Sequence, residues 1–248
     1  MNAARCAIFC LAIFVGLTCW PFGPVRAQTS VDVALVLAVD ASGSIDGDEF
    51  KLQKEGIAQA ITNAEVLKAI ASGRSGRIAI AYVEWGGPQM ARTVVAWMIV
   101  ADSGSANGFA QALLAAPRSA QSYNAIGDAI DHAVALLAGC GCRAARRVID
   151  ISGDNVDMRS ARPAHQARDE AVRQGIVINA LAVLDTKTQS FAGRPTLAEY
   201  FEAEVIGGMG AFVITAKDRA DFTRAMRQKM IQEIAGAPLR RNLAQGQR

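Results

Sequence analysis

The sequence has little of what catalytic and nucleic-acid-binding sites commonly need. It contains only two histidines, His132 and His165, and both fall inside or at the start of predicted helices rather than in loops. It has neither a Gly-x-Ser-x-Gly elbow nor a P-loop pattern. The formal net charge is only +3, so no basic footprint for nucleic acid is present. These absences weigh against a histidine-based hydrolase, a P-loop nucleotide-binding protein and a nucleic-acid-binding protein.

Long apolar runs are confined to the N-terminus. Residues 6–20 form an apolar run after Arg5, and Val25-Arg26-Ala27 supplies residues that a signal peptidase reads. The run is short and soon followed by prolines, so we predict a signal peptide over residues 1–27. An uncleaved N-terminal anchor is the alternative. Without these residues the net charge is +1, no remaining stretch is long enough to span a membrane, and a periplasmic or secreted location is expected.

Cysteine is also scarce, because only Cys140 and Cys142 lie outside the predicted signal peptide. In an oxidising compartment the two could form a disulfide that closes a very small ring, or they could remain a thiol pair. Two sulfurs are too few for a zinc site, which needs four ligands. We interpret the pair as a local disulfide.

A carboxylate and two hydroxyls follow the first strand of the predicted domain. Residues 31–39 form a nearly continuous apolar run, which predicts a strand buried on both faces, and Asp40, Ser42 and Ser44 alternate directly after it. A second apolar strand, residues 148–152, leads to Asp154. Such oxygen atoms suit a hard divalent cation such as Mg²⁺, with Mn²⁺ or Ca²⁺ as alternatives. Asp40 and Asp154 could instead be ordinary turn or helix-cap residues.

Apolar strands alternate with amphipathic helices along residues 28–235, which is the pattern of an α/β domain. We predict a single doubly wound, mostly parallel sheet with one antiparallel edge strand and helices on both faces. Residues 77–84 and 93–100 form the antiparallel pair, because the turn between them is too short for a parallel crossover. One long helix is predicted between Asp46 and Gly73. Residues 236–248 form a polar tail that we expect to be disordered.

Two further residues on these strands have structural interpretations. Asp150 alternates within its strand, and we expect it to pair with an arginine such as Arg146 or Arg147. Trp85 ends a strand and is interpreted as a core or strand-end residue in preference to a contact with a partner.

The residues around Asp40 and Asp154 resemble a known family. Asp40-x-Ser42-x-Ser44, together with Ser152-Gly153-Asp154, resembles the metal-ion-dependent adhesion site of von Willebrand factor type A (vWA) domains. Residues 82–85 and 148–154 are similar to uncharacterised secreted bacterial members of that family. The resemblance covers roughly residues 31–235, and it implies a vWA fold with a divalent cation at this site.

The resemblance implies a third metal loop, in which the family usually has a threonine before a helix. Residues 126–130, Ile-Gly-Asp-Ala-Ile, match that helix start, and the threonine position falls on Asn124. This is a departure from the family pattern. The amide oxygen of Asn124 could bind the ion or a water on it, but its N–H donors would repel a cation, and asparagine is also a good helix cap. Asn124 therefore joins Asp40, Ser42, Ser44 and Asp154 only as a further candidate ligand.

The function that the resemblance implies is binding. Serine hydroxyls add no negative charge, so the ion would attract an Asp or Glu side chain of a protein partner. We expect an exported protein-binding module of the adhesion or scaffolding type and not an enzyme. The alternative is a Mg²⁺-dependent phosphoryl-transfer or hydrolytic enzyme that uses Asp40. Such enzymes commonly have a second aspartate two positions after the first, where this chain has Ser42.

Overall fold

The fold is built around β1 (Thr29–Asp40), which lies between two parallel neighbours. The computed structural model describes residues 28–43, 45–119, 122–184, 195–218 and 220–236. In β1 the side chains from Val33 to Val39 are all fully buried, because helices cover both faces of the sheet. The continuous apolar run therefore becomes a central strand, as predicted.

The sheet has six strands in the order β3-β2-β1-β4-β5-β6. The strands beyond β1 are β2 (Ile78–Trp85), β3 (Arg92–Val100), β4 (Cys142–Gly153), β5 (Ile176–Val183) and β6 (Val213–Ala216). All neighbours are parallel except β2 and β3, which pair antiparallel at one edge. The predicted fold class, a single mostly parallel sheet with one antiparallel edge strand, is confirmed.

Helices pack on both faces. One face carries α1 (Gly47–Ile61), α2 (Ala64–Ala71), α3 (Ser103–Ala115) and α7 (Phe222–Ala235). The other face carries α4 (Ile126–Ala138), α5 (Ala164–Arg173) and α6 (Leu197–Tyr200), which continues into a π-helical turn, Phe201–Val205. Odd-numbered side chains of β1 contact the first layer and even-numbered ones the second, so two apolar cores sandwich the sheet.

The prediction of one long helix between Asp46 and Gly73 is wrong, because the chain breaks into α1 and α2. The Asn63 side chain accepts a hydrogen bond from the Glu65 backbone N–H at 2.9 Å and so caps a new helix. The Thr62 hydroxyl donates to the Ala58 carbonyl at 2.8 Å in the last turn of α1. Such local side-chain bonds compete with the helical pattern, and here they outweigh a continuous apolar face.

Several predicted features lie outside the described residues: the signal peptide over residues 1–27, the tail beyond Gly236, and Ser44. Within the described ranges no helix is both long and apolar enough to cross a bilayer.

Candidate functional site

The carboxyl ends of β1 and β4 bring Asp40 and Asp154 to the same edge of the sheet. The two strands are parallel neighbours in which Val39 pairs with Ser152, so the residues that follow each strand meet. Asp40 and Asp154 are 1% and 4% exposed. A Cβ added to Gly153 would lie 3.6 Å from Asp40 Oδ2 and 3.1 Å from the Trp85 ring. Gly153 therefore allows the Trp85 indole to approach the β4 backbone closely, whereas the Asp40 distance is an ordinary van der Waals contact.

The two oxygens of Asp40 have different surroundings. Oδ1 accepts a hydrogen bond from the Ser42 backbone N–H at 2.7 Å, which is the turn role expected of an aspartate after a strand. Oδ2 is buried and accepts no hydrogen bond from any described residue. Burial, together with the negative charge of Asp154, raises the pKa of Asp40 to about 8. No described lysine or arginine forms an ion pair with Asp40, so this corner of the molecule favours an added positive charge.

Arg118 holds the loop that contains Ser42. One of its terminal nitrogens donates to the backbone carbonyl oxygens of Ala41, Ser42 and Ile45 at 2.9, 2.9 and 2.8 Å. The guanidinium also lies over the Phe50 ring, 4.6 Å from its centroid. A positive charge is therefore present next to the loop, but it is directed at carbonyl oxygens and leaves the Asp40 carboxylate uncompensated.

Glu84 in turn fixes the segment that carries Arg118. Its buried carboxylate accepts a hydrogen bond from the Ser119 backbone N–H at 2.6 Å. Neither the role of Arg118 nor that of Glu84 could be predicted from the sequence, because their contacts join residues far apart along the chain and follow no periodic pattern.

Asn124 lies at the entrance to α4 with its side chain 3% exposed. The residue in the cap position of α4 is Ala125, and the helix has no side-chain cap there. The interpretation of Asn124 as a simple cap is therefore wrong. Its Oδ1 atom is buried and accepts no hydrogen bond within the described part of the chain. Its backbone carbonyl accepts hydrogen bonds from the N–H groups of Ile126 at 3.1 Å and Met158 at 2.6 Å, which joins this loop to the one after Asp154.

Two acidic residues that sequence reasoning missed hold these loops together. Asp157 accepts hydrogen bonds from the N–H groups of Ile126, at 2.8 Å, and Gly127, at 3.2 Å, at the start of α4. Asp128 accepts from the N–H groups of Gln89 and Ala161 at 2.7 and 2.8 Å. The helix dipole favours the Asp157 carboxylate at the N-terminus of α4. Together, the hydrogen bonds of Asp157 and Asp128 hold the segments on either side of Asn124 in place.

A second buried acidic cluster lies deeper in β4. Asp150 forms an ion pair with Lys229 of α7 at 2.7 Å, and Lys229 also contacts Glu233 at 2.6 Å. The expected pairing of Asp150 with Arg146 or Arg147 is wrong, because those side chains donate to the carbonyls of Glu233, Ile234 and Gln174. The arginines lie nearer the start of β4, where they reach helix ends.

The histidines and cysteines lie elsewhere. Nε2 of His132 contacts the Thr93 hydroxyl at 2.9 Å, and Nδ1 of His165 contacts Glu204 at 2.9 Å. Cys140 and Cys142 are bonded to each other, with their Cα atoms 5.2 Å apart. They lie at the start of β4, at the opposite end of that strand from Asp154. Trp85 is fully buried, in agreement with its interpretation as a core residue.

Oxygen atoms at the end of β1 and before the start of α4 are of the kind that a hard divalent cation binds. Asp40 Oδ2 and Asn124 Oδ1 are buried oxygens that accept no hydrogen bond from the described residues, and a buried polar atom of this kind is unfavourable unless it is bound. No group of three or more His, Cys, Asp or Glu side chains converges anywhere in the described ranges. A metal here would therefore depend on serine and amide oxygens in addition to the two carboxylates, which suits Mg²⁺, Mn²⁺ or Ca²⁺.

Solved structures with the same fold include a matrix protein and a pilus adhesin. Proximal thread matrix protein 1 from the mussel byssus, in a structure with a zinc-occupied MIDAS motif, matches 84% of this chain at 14% identity and a TM-score of 0.58. A von Willebrand factor type A protein from Catenulispora acidiphila matches 83% at 17% identity and a TM-score of 0.56. The pilus adhesin SpaC from Lactobacillus rhamnosus GG matches 84% at 12% identity and a TM-score of 0.58.

The match covers less than half of each of these proteins, 47%, 43% and 32% of their chains, so it concerns the domain alone. A comparison with curated protein sequences found no significant match. A family profile described as "Protein of unknown function (DUF1194)" matches residues 30–238. The chain has the vWA fold and belongs to the DUF1194 family.

Proposed function

We propose that this protein is an exported binding module that uses a divalent cation to capture an acidic group of a protein partner. The observation that carries the proposal is the buried Asp40 carboxylate, which has one oxygen without a hydrogen bond and no ion-pair partner among the described residues. The proposed ligands are Asp40, Ser42, Ser44, Asp154 and Asn124, directly or through water. Export to the periplasm or beyond rests on the signal-peptide pattern of residues 1–27.

The protein's own residues determine what the ion can bind. Only Asp40 and Asp154 carry charge, whereas the serines and Asn124 are neutral. A divalent cation held by few charged ligands keeps affinity for an anionic group in an open coordination position. Arg118 fixes the carbonyls of Ala41, Ser42 and Ile45, so the backbone on either side of Ser42 is held in shape before the ion arrives. Preorganisation of this kind favours binding because less freedom is lost.

Binding is favoured over catalysis by the positions of the histidines. His132 contacts Thr93 and His165 contacts Glu204, so each has a partner away from Asp40. The structures with the same fold also support a binding role, since one is a matrix protein with a zinc-occupied MIDAS motif and another is a pilus adhesin. The match to each covers only part of that protein, so the nature of the partner is part of the proposal.

The proposal can be tested with Mn²⁺, whose bound waters shorten the relaxation time of solvent protons. The purified protein should enhance the relaxation rate in a saturable manner. Poly-L-glutamate should reduce that enhancement because a carboxylate replaces an inner-sphere water, whereas poly-L-lysine should not. Asp40→Asn should show no enhancement, and Mn²⁺ with poly-L-glutamate alone provides the blank. Equal enhancement by wild type and Asp40→Asn, or no effect of poly-L-glutamate, would contradict the proposal.

The enzymatic alternative is tested on the same preparations. A generic phosphate ester should not be hydrolysed above the background rate in the presence of Mg²⁺. Hydrolysis that is lost in Asp40→Asn would instead assign the site to catalysis.

A further inference from the structure

A small exposed surface adjoins the proposed metal site. We define the recognition rim as Tyr123, Val156, Met158 and Arg159, which come from the loops that contain Asn124 and follow Asp154. The large apolar side chains of the rim are 48%, 38% and 37% exposed. Other exposed large apolar residues in the described ranges lie singly on α1, β3, α3 and the turn at Met209, whereas these three share two adjoining loops.

The backbone beneath the rim is held firmly. The Met158 N–H donates to the Asn124 carbonyl at 2.6 Å, which ties the two loops to each other. Asp157 accepts from the N–H groups of Ile126 and Gly127, and Asp128 accepts from the Ala161 N–H. These bonds use backbone groups and the Asp157 and Asp128 carboxylates, so the rim side chains take no part in them. The rim is therefore a preorganised surface, which lowers the entropy lost when a partner binds.

Tyr123 and Arg159 contact each other, and both have an unusual backbone conformation. Their φ angles are +62° and +63°, in the left-handed region that non-glycine residues seldom occupy. The Arg159 guanidinium lies over the Tyr123 ring, 4.6 Å from its centroid. Unfavourable backbone conformations that persist on the surface tend to occur at binding sites. Here the two residues with this conformation place a guanidinium over an aromatic ring.

The charge of Arg159 is available to a partner. It forms no ion pair with any described residue, whereas the neighbouring Arg162 binds Asp131 and Arg118 binds backbone carbonyls. An arginine stacked on an aromatic ring keeps its N–H donors at the ring edge free for a carboxylate. The rim thus combines apolar area with one positive charge.

We propose that the recognition rim binds a protein segment with two acidic residues and an apolar side chain between them. The first carboxylate binds the ion of the proposed function, on which this inference rests. The apolar side chain packs against Tyr123, Val156 and Met158, and the second carboxylate pairs with Arg159. The rim therefore selects among acidic partners, which the ion alone would not do.

The test is selection of a displayed random-peptide library on the purified protein in Mg²⁺, with EDTA as the metal-free control. Wild type is compared with Arg159→Glu, and Arg143→Glu is the matched control because Arg143 is exposed at the start of β4, far along the strand from Asp154. Thermal melts verify that each variant folds. Arg159→Gln serves as a milder second variant.

Wild type should select Mg²⁺-dependent peptides with an acidic, apolar, acidic pattern. On Arg159→Glu the second acidic position should change to lysine or arginine. The best wild-type peptide should bind this variant at least about tenfold more weakly, because like charges then face each other. Arg159→Gln should weaken it less, and Arg143→Glu should change the affinity by less than about twofold.

Two other outcomes overturn the inference in distinguishable ways. If the selected peptides carry a single acid and are the same on wild type and Arg159→Glu, the rim has no such role and the metal-dependent function stands. If no peptide requires Mg²⁺ on wild type, the proposed function fails together with the inference.

Discussion

Two buried acidic clusters share strand β4 but differ in how their charge is balanced. Asp150, within the strand, has Lys229 at 2.7 Å, and the same lysine serves Glu233. Asp40, beside the end of the strand, has the negative Asp154 as a neighbour and no ion-pair partner among the described residues. The inner cluster therefore contains its own cation. The outer cluster lies at the edge where ligands reach an α/β sheet, and we propose that it takes its cation from solution.

The position of each cluster explains this difference. Asp150 pairs in register with Leu37, on the face covered by α7, so solvent cannot reach it and a lysine must be part of the fold. Asp40 pairs in register with Trp85 at the end of its strand and lies among loops. We propose that the negative charge of Asp40, buried at the end of its strand, is balanced reversibly by a bound cation. The comparison predicts that changes in the inner cluster alter stability, whereas changes in the outer cluster alter the response to metal.

The largest expected effect is that of removing the inner cation. Lys229→Met should lower the free energy of unfolding by about 3–5 kcal/mol, because two buried carboxylates lose their partner. Denaturation in urea measures the change. Lys51→Met is the matched control, since Lys51 is exposed on α1, and it should change stability by less than about 0.5 kcal/mol. A small loss in Lys229→Met would mean that the inner cluster does not depend on its lysine.

The next effect compares one aspartate from each cluster in the presence of EDTA at pH 7. Asp150→Asn should lower the free energy of unfolding by about 2–3 kcal/mol, because Lys229 then keeps only Glu233. Asp40→Asn should change it by less than about 1 kcal/mol. The pKa of Asp40 is raised to about 8, so without metal this carboxyl is mostly neutral already. Equal losses in the two variants would remove the distinction between the clusters.

A smaller effect is expected from the arginine beside the outer cluster. Arg118→Ala should lower the free energy of unfolding by about 1–2 kcal/mol, because the carbonyls of Ala41, Ser42 and Ile45 lose a charged donor. It should also weaken Mg²⁺ binding, since the backbone around Ser42 is no longer held. Arg143→Ala, at an exposed site, is the control in the same urea experiment. Unchanged metal affinity in Arg118→Ala would show that the loop keeps its shape without this residue.

The smallest effect concerns pH. Burial and the nearby Asp150 raise the pKa of Glu233 to about 7, although Lys229 acts in the opposite direction. The folded protein therefore holds a proton that the unfolded chain has lost between about pH 4.5 and 7. This contribution to stability is present below that window and decreases as the pH rises through it.

Glu233→Gln keeps a polar side chain but cannot titrate. Relative to wild type, the variant should gain about 1 kcal/mol of stability on going from pH 6 to pH 7.5, as measured by urea denaturation at both values. Taking the difference between the two proteins cancels the titration of Asp40, which the variant retains. A difference that does not depend on pH would contradict the assignment.

The sheet and part of the outer cluster could be predicted from the sequence. Continuous apolar strands followed by Asp40 and Asp154 predicted both the parallel pairing and the shared edge, because parallel strands leave their carboxyl ends together. The sequence did not reveal Lys229, which looks like a surface residue on a mixed helix face, or Asp157, whose hydrogen bonds reach 30 and 31 residues back along the chain. Contacts of this kind depend on how the helices pack on the sheet, and no local sequence pattern predicts them.

The break between α1 and α2 was missed for a related reason. Thr62 and Asn63 interrupt a regular apolar stripe with only two polar residues. Their side-chain bonds to the backbone decide the local structure.

The most direct test of the central claim is the thermal midpoint of the purified protein in EDTA and in increasing Mg²⁺, Mn²⁺ and Ca²⁺, with Asp40→Asn and Asp150→Asn beside it. A cation that binds only the folded state adds about 2.7 kcal/mol of stability at one hundred times its dissociation constant. We expect a saturable rise in wild type and in Asp150→Asn, and none in Asp40→Asn. No rise with any of the three ions up to millimolar concentration, or an equal rise in Asp40→Asn, would contradict the outer cluster as a metal site.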